Sequence, residues 1–462
     1  MAAVHQNHRN ALSWTNARAE RTTNSAANPR VADALALLAG IGFGAVVALV
    51  INSEMGGALR STGGWAIGLG RLFAMTGAYL LIILVVLIAR IPWLERTVGQ
   101  HRLVRWHRLI GTWSIVLIAM HIVLVTIGYA QLSHVGILHQ FVVFVAHYPD
   151  ILASLVGFGL LVMAGVTSAR IARAGMRYET WWVVHLYMYL GLALAFAHQV
   201  RVGVLFLGDP LARNVLIVLW ATTALAVVVY RVGLPIRASS RHDLRVASVA
   251  EIAPGVHSVV MRGRSLADMA VSGGQFFQWR FLSPGLWRHA NPYSLSALPQ
   301  PPFLRITVKG VGDQSNAVAH LKPGTRVFVE GPYGNFTHHS RVHDRVTLIG
   351  AGVGVTPLRA MLEDLPQSVQ TTVIIRVSRD EDVLHRDEFE ALVARHHGEL
   401  HVLVGSRHEI RLNARLLRKL APSIDQSDVF ISGPSGFNDH IGVLATELGV
   451  PDDRIHQTAF SF

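Results

Sequence analysis

Residues 101–132 read HRLVRWHRLIGTWSIVLIAMHIVLVTIGYAQL. The apolar run 109–130 within it is near the roughly 20 residues that a helix needs to cross hydrocarbon. The stretch also carries two histidines, His107 and His121, 14 positions apart. At about 1.5 Å per residue they stand roughly 20 Å apart along one helix. A second stretch, residues 178–198, reads YETWWVVHLYMYLGLALAFAH and places His185 and His198 13 positions apart. Ionisable groups inside a bilayer are costly and usually functional, so these four positions direct the rest of the reading.

Working outward, apolar runs cover 31–52, 65–88, 109–130, 151–167, 181–197 and 214–230. They predict six transmembrane helices. Arginines cluster after the second run (Arg90, Arg96, Arg102, Arg105, Arg108), after the fourth (Arg170, Arg173, Arg177) and after the sixth (Arg231, Arg237, Arg241, Arg245). The connections after the first and third hold only Arg60, while Arg201 and Arg213 after the fifth are a mild exception. The positive-inside rule then places both termini in the cytoplasm. Residues 1–30 are polar, without a signal-peptide core, and read as a disordered cytoplasmic tail.

With this orientation the third and fifth spans run the same way. His107 and His185 share the inner depth, and His121 and His198 the outer. Two histidines on facing helices can supply both axial ligands of a haem iron, so the pairs predict two b-type haems stacked across the membrane. The competing reading is helix-end histidines bonded to backbone or headgroups. Fourteen positions return a side chain to within roughly 40° on an ideal helix, whereas 13 leave it roughly 140° away. Tilt or local distortion of the fifth span has to absorb that difference. Arg71, inside the second span, is a candidate for a haem propionate; snorkelling or a protein carboxylate is the alternative. His134, His139 and His147 fall in an outer loop and carry no assigned role.

Composition agrees. The chain has 462 residues, a formal charge of +12, 51% hydrophobic and 15% charged residues, 24 histidines and no cysteine. Soluble domains average about a quarter charged residues. Without cysteine there are no disulfides, thiolate nucleophiles, cysteine-held clusters or covalently attached c-type haem. The positive charge alternates between spans instead of covering one soluble face, which argues against nucleic acid as a partner.

Beyond residue 235 the pattern is that of a soluble protein. Short strand-like runs at 244–252, 257–262, 275–281, 293–297, 304–308 and 326–330 predict an antiparallel β-barrel. From residue 345, strands at 346–349, 372–377, 400–404 and 429–432 alternate with helices at 357–364, 386–396, 412–420 and 436–448. These predict an α/β nucleotide-binding domain. The expected domains are thus a tail (1–30), a six-helix di-haem domain (31–235), a flavin barrel (236–342) and a nucleotide domain (343–462).

Asn291-Pro-Tyr-Ser294 offers an aromatic ring to pack on a flavin and the Ser294 hydroxyl to reach its N5 edge; it is also an ordinary strand end. Gly312-Asp-Gln-Ser315-Asn316 suits a phosphate at a helix start, or is a capped turn. Gly350-Ala-Gly352-Val-Gly354-Val-Thr356-Pro357 follows a strand and opens a helix, as a pyrophosphate-binding turn does. Arg379, after the next strand, suits a ribose 2′-phosphate and favours NADPH over NADH, unless it is a surface arginine paired with Asp380 or Glu381. Gly433-Pro434 lets a nicotinamide approach. Phe462, the last residue, would cover the flavin until nicotinamide displaces it; a packed C-terminal strand is the rival.

On these residues the sequence resembles the ferric reductase and NADPH oxidase superfamily, from about residue 65 to the C-terminus. Arg105-Trp-His107-Arg-Leu-Ile-Gly111 with His121, and Tyr178-Glu-Thr-Trp-Trp-Val-Val-His185 with His198, are similar to its third and fifth spans, including the 14 and 13 spacings. The resemblance implies haem ligation by His107, His121, His185 and His198. Through the likeness of the soluble half to ferredoxin–NADP reductases, it implies FAD contacts at Pro292, Tyr293, Ser294, Lys309, Gly312 and Ser315. It also implies nicotinamide-nucleotide contacts at Gly350, Gly352, Gly354, Thr356, Pro357, Arg379, Gly433 and Pro434. The chain departs from the family in having Asn291 where histidine or arginine is usual, Ser432 in place of a cysteine, and no EF-hand loop before the membrane part. The resulting expectation is an integral enzyme of the cell membrane. It would pass electrons from cytoplasmic NAD(P)H through FAD and two haems to ferric iron or oxygen outside. The alternative is a cytochrome b-type component exchanging electrons with a quinone or protein partner.

Overall fold

The computed structural model describes residues 29–55, 60–169, 176, 178–203, 210–406 and 408–460. The chain divides between Val232 and Gly233 into two compact units.

In the first unit, six helices among the described residues are long and apolar enough to cross a membrane. They are Pro29–Val50, Gly64–Ile88, Gln100–Leu132, Ile151–Ser168, Tyr178–Val202 and Pro210–Val228. The third starts nine residues before its apolar run because the arginine-rich stretch ahead of it is itself helix-forming. Two short helices, Pro92–Val98 and Ile137–His147, fill connections that the apolar pattern leaves as loops. Pro92 starts the first of them. The second has 11 residues, too few to span.

Glycine sets the helix spacing, as small residues do where lipid supplies no hydrophobic drive. A Cβ on Gly70 would stand 2.8 Å from Val125, and one on Gly128 2.5 Å from Ile67, which locks the second span to the third. Gly157 and Gly191 do the same for the fourth and fifth: a Cβ on either would lie 2.7 or 2.8 Å from the other's carbonyl oxygen. Leu109, Trp113 and Val123 point away from the bundle and are at least half exposed, as side chains facing hydrocarbon are.

The second unit opens with the helix Leu234–His242. Its Ser239 Oγ accepts the Val329 N–H at 3.0 Å and donates to the Val329 carbonyl at 3.2 Å, docking the helix on a strand. Six antiparallel strands follow: β1 (Leu244–Ala253), β2 (Val256–Arg262), β3 (Phe276–Phe281), β4 (Asn291–Ser294), β5 (Phe303–Lys309) and β6 (Arg326–Tyr333). Their order is β4-β3-β6-β1-β2-β5. Along β3, Phe277, Trp279 and Phe281 alternate inward and are almost fully buried, each stabilising the core by about 2–3 kcal/mol. The ladder is not closed as the expected barrel would be. Its edges meet at one bridge, Leu295 to Ile306, because β4 has only four residues and Pro292 has no N–H for a second ladder.

The remainder is a parallel sheet of β7 (Arg345–Ala351), β8 (Gln370–Val377), β9 (Glu399–Val404), β10 (Asp428–Pro434) and β11 (Ile455–Phe460), in the order β11-β10-β7-β8-β9. The central residues of β7 are buried, as in sheets covered on both faces. The order reverses between β7 and β10, and ligands of open α/β sheets bind outside the strand ends at such a switch point.

Arg305 of β5 forms a bidentate pair with Glu388 at 2.7 and 2.6 Å, and Arg359 Nε reaches the same carboxylate at 2.6 Å. These contacts tie the antiparallel sheet to the parallel one. Burial raises the Glu388 pKa. The His385 and Arg305 hydrogen bonds and the Arg359 and Arg305 charges outweigh that and hold it well below the usual carboxylate range. A depressed carboxylate pKa contributes stability that is full above the unfolded value, near 4.5, and is lost as pH falls through the folded one. Glu388→Gln is therefore expected to lower thermal stability at pH 7 and to flatten its decline on acidification below about pH 4.5, read by melting curves across that range.

Candidate functional site

Spans three and five make only sparse backbone contact among the described residues, yet the His107 and His185 rings meet edge-on, with centroids 6.4 Å apart and planes at 63°. Their outer nitrogens are already committed. His107 Nδ1–H donates to the Leu84 carbonyl at 3.1 Å, and His121 Nδ1–H to the Gly70 carbonyl at 2.9 Å. Around His185, Ser168 Oγ spends its only proton on the Ala164 carbonyl at 2.6 Å. The same oxygen accepts the Trp181 Nε1–H at 3.0 Å, so the 3.2 Å contact makes His185 Nδ1 the donor. Trp181 also stacks on the His185 ring at 5.2 Å.

A metal-ligating histidine characteristically donates its second N–H to a carbonyl or similar acceptor, which fixes the tautomer and aims the other nitrogen. Three of the four histidines have that arrangement. Iron between two imidazoles, with metal–nitrogen bonds of about 2 Å, separates ring centroids by roughly 6.3 Å. The donor set and the 6.4 Å separation therefore fit a bis-histidine haem. His198 differs, because its Nδ1 is buried without a hydrogen-bond partner. The fifth helix runs as one α-helix from Tyr178 to Val202. Arg71 donates to the Tyr129 hydroxyl at 3.3 Å.

None of the Nδ1 partners was visible in the sequence. Leu84 and Gly70 act through backbone carbonyls, and Ser168 lies 17 residues from His185. Ser168→Ala should remove the oxygen that accepts both the His185 and Trp181 N–H groups. Metal affinity is expected to fall by about 10–100-fold, read as haem retained per chain after purification.

In the second unit, Tyr293 lies on β4, partly buried against the sheet core, and burial pushes its phenol up to about 12. Its carbonyl accepts the Trp279 Nε1–H at 2.8 Å. Ser294 is buried and registers with Phe276, while Pro292 is exposed. Lys309 is the last residue of β5. At the expected phosphate site the helix is a five-residue turn, Asp313–Ala317. Ser315 Oγ is engaged within it, accepting the Val311 and Gly312 N–H groups at 2.9 and 3.0 Å.

The glycine turn sits at the switch point. Gly350, next to last in β7, is in register with Ser432 of β10. Gly352, with φ of +54°, begins the turn Gly352–Gly354, and the helix Val355–Asp364 follows. A Cβ on Gly354 would stand 2.4 Å from the Ser432 carbonyl oxygen, so this loop and Gly433-Pro434 lie against each other. Thr356 Oγ1 donates to the Val353 carbonyl at 2.9 Å, and Pro357 is in the first turn of the helix. Strand β5 comes close to the turn. Arg379 is paired, though not with Asp380. It meets Glu381 at 2.6 Å and Asp382 at 3.3 Å, while Asp380 takes Arg386. A 2′-phosphate would have to displace both carboxylates. Phe462 lies outside the described residues. The chain does form a C-terminal strand as far as Phe460, in register with Pro434.

Residues 73–196 match the family described as ferric reductase like transmembrane component, and residues 348–442 the oxidoreductase NAD-binding domain. The chain thus carries a segment similar to a ferric reductase transmembrane component and, after it, one similar to an oxidoreductase NAD-binding domain. Among curated relatives, it is 27% identical over 198 residues to an NADPH oxidoreductase of Mycobacterium tuberculosis, covering 41% of this chain and 52% of that one. It is 28% identical over 204 residues to a flavohemoprotein of Deinococcus radiodurans, covering 40% and 50%. The chain spans about half the length of these relatives. Among solved structures, the FAD/NAD-binding domain of a nitric oxide dioxygenase from Vibrio cholerae aligns with 48% of this chain and 99% of that one, at 25% identity and a TM-score of 0.39.

Proposed function

We propose that this chain carries electrons across the cell membrane, from NAD(P)H on the cytoplasmic side, where both termini lie, to ferric iron or oxygen on the outer face. A flavin, when bound, would supply the change from two-electron hydride chemistry to single-electron transfer, and b-type haems would supply one-electron carriers. The observation that carries the reading is the convergence of His107 and His185, their Nδ1–H groups tied back to Leu84 and Ser168. His121, held by Gly70, and His198 would hold the outer haem, with Arg71 beside Tyr129 to meet a propionate. With two histidines committed to each iron, the acceptor would be reduced without binding the metal.

In the second unit, Tyr293 and Ser294 would face the flavin, with Lys309, Gly312 and Ser315 at its phosphates. The turn Gly350–Gly354, Thr356 and Pro357 would cradle the pyrophosphate at a helix N-terminus. Gly433-Pro434 would admit the nicotinamide. Arg379 would select the 2′-phosphate in competition with Glu381 and Asp382.

A redox spectrum of membranes containing the protein tests this directly. NADPH, and then NADH in a separate sample, should produce the bands of reduced b-type haem. Purified protein without a Soret band refutes the reading. Ferric reduction measured beside superoxide formation separates the two acceptors.

A further inference from the structure

His338 and His339 stand on the single turn His338–Ser340, in the segment between β6 and β7. Asp364 ends the helix whose first turn follows Gly354. One nitrogen from each ring and one carboxylate oxygen lie within 4.8 Å of one another. The two rings are 4.0 Å apart between centroids, and His338 Nε2 is 3.5 Å from Asp364 Oδ2. His338 is 8% exposed.

We propose that His338, His339 and Asp364 form a binding site for a divalent first-row transition-metal cation, zinc above all, with one position left to water. Two imidazoles and one carboxylate are a donor set for such cations, whereas magnesium and calcium take oxygen ligands. Zinc bonds of about 2.0–2.2 Å place tetrahedral ligand atoms roughly 3.3–3.5 Å apart. The His338–Asp364 pair is already at 3.5 Å, so only a small inward turn of the His339 ring completes the set. The carboxylate is oriented from outside, since Asp364 Oδ2 accepts the Gly273 N–H at 2.8 Å, as second-shell bonds orient metal-ligating carboxylates.

The bound cation would join three pieces at one point. These are the loop carrying Gly273, the segment from β6 to β7, and the far end of the helix that opens on the glycine turn. The proposal does not depend on the haem assignment.

The test uses the full chain in detergent, stripped with chelator and dialysed against zinc alone. The chain has 24 histidines, so the reading is a difference. Wild type should retain one zinc equivalent more than the His338→Gln/His339→Gln double variant, and zinc should raise its melting temperature further. Equal stoichiometry with equal thermal shifts overturns the proposal. Asp364→Asn keeps an acceptor for the Gly273 N–H and removes the charged ligand. It should weaken the extra site by about tenfold or more, and unchanged affinity in this variant also overturns the proposal.

Discussion

His185→Ala is expected to lower haem content from two per chain to one and to reduce NAD(P)H-driven electron delivery by at least about 100-fold, since losing a metal ligand costs no less than losing the group that orients it. The substitution leaves Ser168 Oγ bonded to Trp181 and Ala164, and leaves His107 held by Leu84. The helix and its packing therefore survive while the nitrogen that faces His107 is gone. Were His185 only a hydrogen-bonded helix residue, alanine would cost about 1 kcal/mol and haem content would not change. His185→Gln sharpens the comparison, because an amide can still bond Ser168 but cannot replace imidazole on iron. A haem assay on both purified variants, with NAD(P)H-driven reduction of an external acceptor, reads the result.

Gly354→Ala should have an effect of comparable size at the other end of the proposed path. Gly354 has φ of −61°, which alanine adopts freely. The obstacle is space. The new Cβ would stand 2.4 Å from the Ser432 carbonyl oxygen, 2.7 Å from its carbon and 2.8 Å from Gly433 Cα. All three are backbone atoms, so the glycine turn and the end of β10 have to separate. A misplacement of about 1 Å at a reacting centre can cost about 100-fold in rate, and the overpacking itself costs about 1–3 kcal/mol of stability. NAD(P)H oxidation with a soluble dye should fall accordingly, while the amount of membrane-bound haem stays unchanged. Gly436→Ala is the matched control, since nothing lies within 4 Å of a Cβ there. A Gly354 variant that turns over like this control would refute the role of the turn.

Much of this architecture was legible beforehand, for identifiable reasons. A run such as 109–130 leaves few alternatives to a span, because no soluble surface accommodates it. Alternation as regular as Phe277, Trp279 and Phe281 marks a half-buried strand. The features that escaped involve short or distant contacts. Strand β11 was only a rival reading, because six residues at a chain end give little pattern. Helix Pro92–Val98 lies in an arginine-flanked connection with no apolar period. Arg379 pairs with Glu381, one of the two partners open to it as a surface arginine, but its second partner is Asp382, which the turn at residues 380–382 presents in place of Asp380.

The sequence by itself determined the six apolar spans, the histidine spacings and the glycine turn at a strand end, because each is a local pattern repeated within one element. Only the tertiary structure decided what those groups touch. It set the 6.4 Å between the His107 and His185 rings, the Leu84 and Gly70 carbonyls that select the tautomers of His107 and His121, and the contact of Gly354 with Ser432. It also brought Asp364 to His338 across 26 positions of chain. Such contacts join residues far apart in sequence, several through backbone atoms that every residue type carries. No pattern of side chains along the chain records them, and they exist only once the helices and sheets have packed.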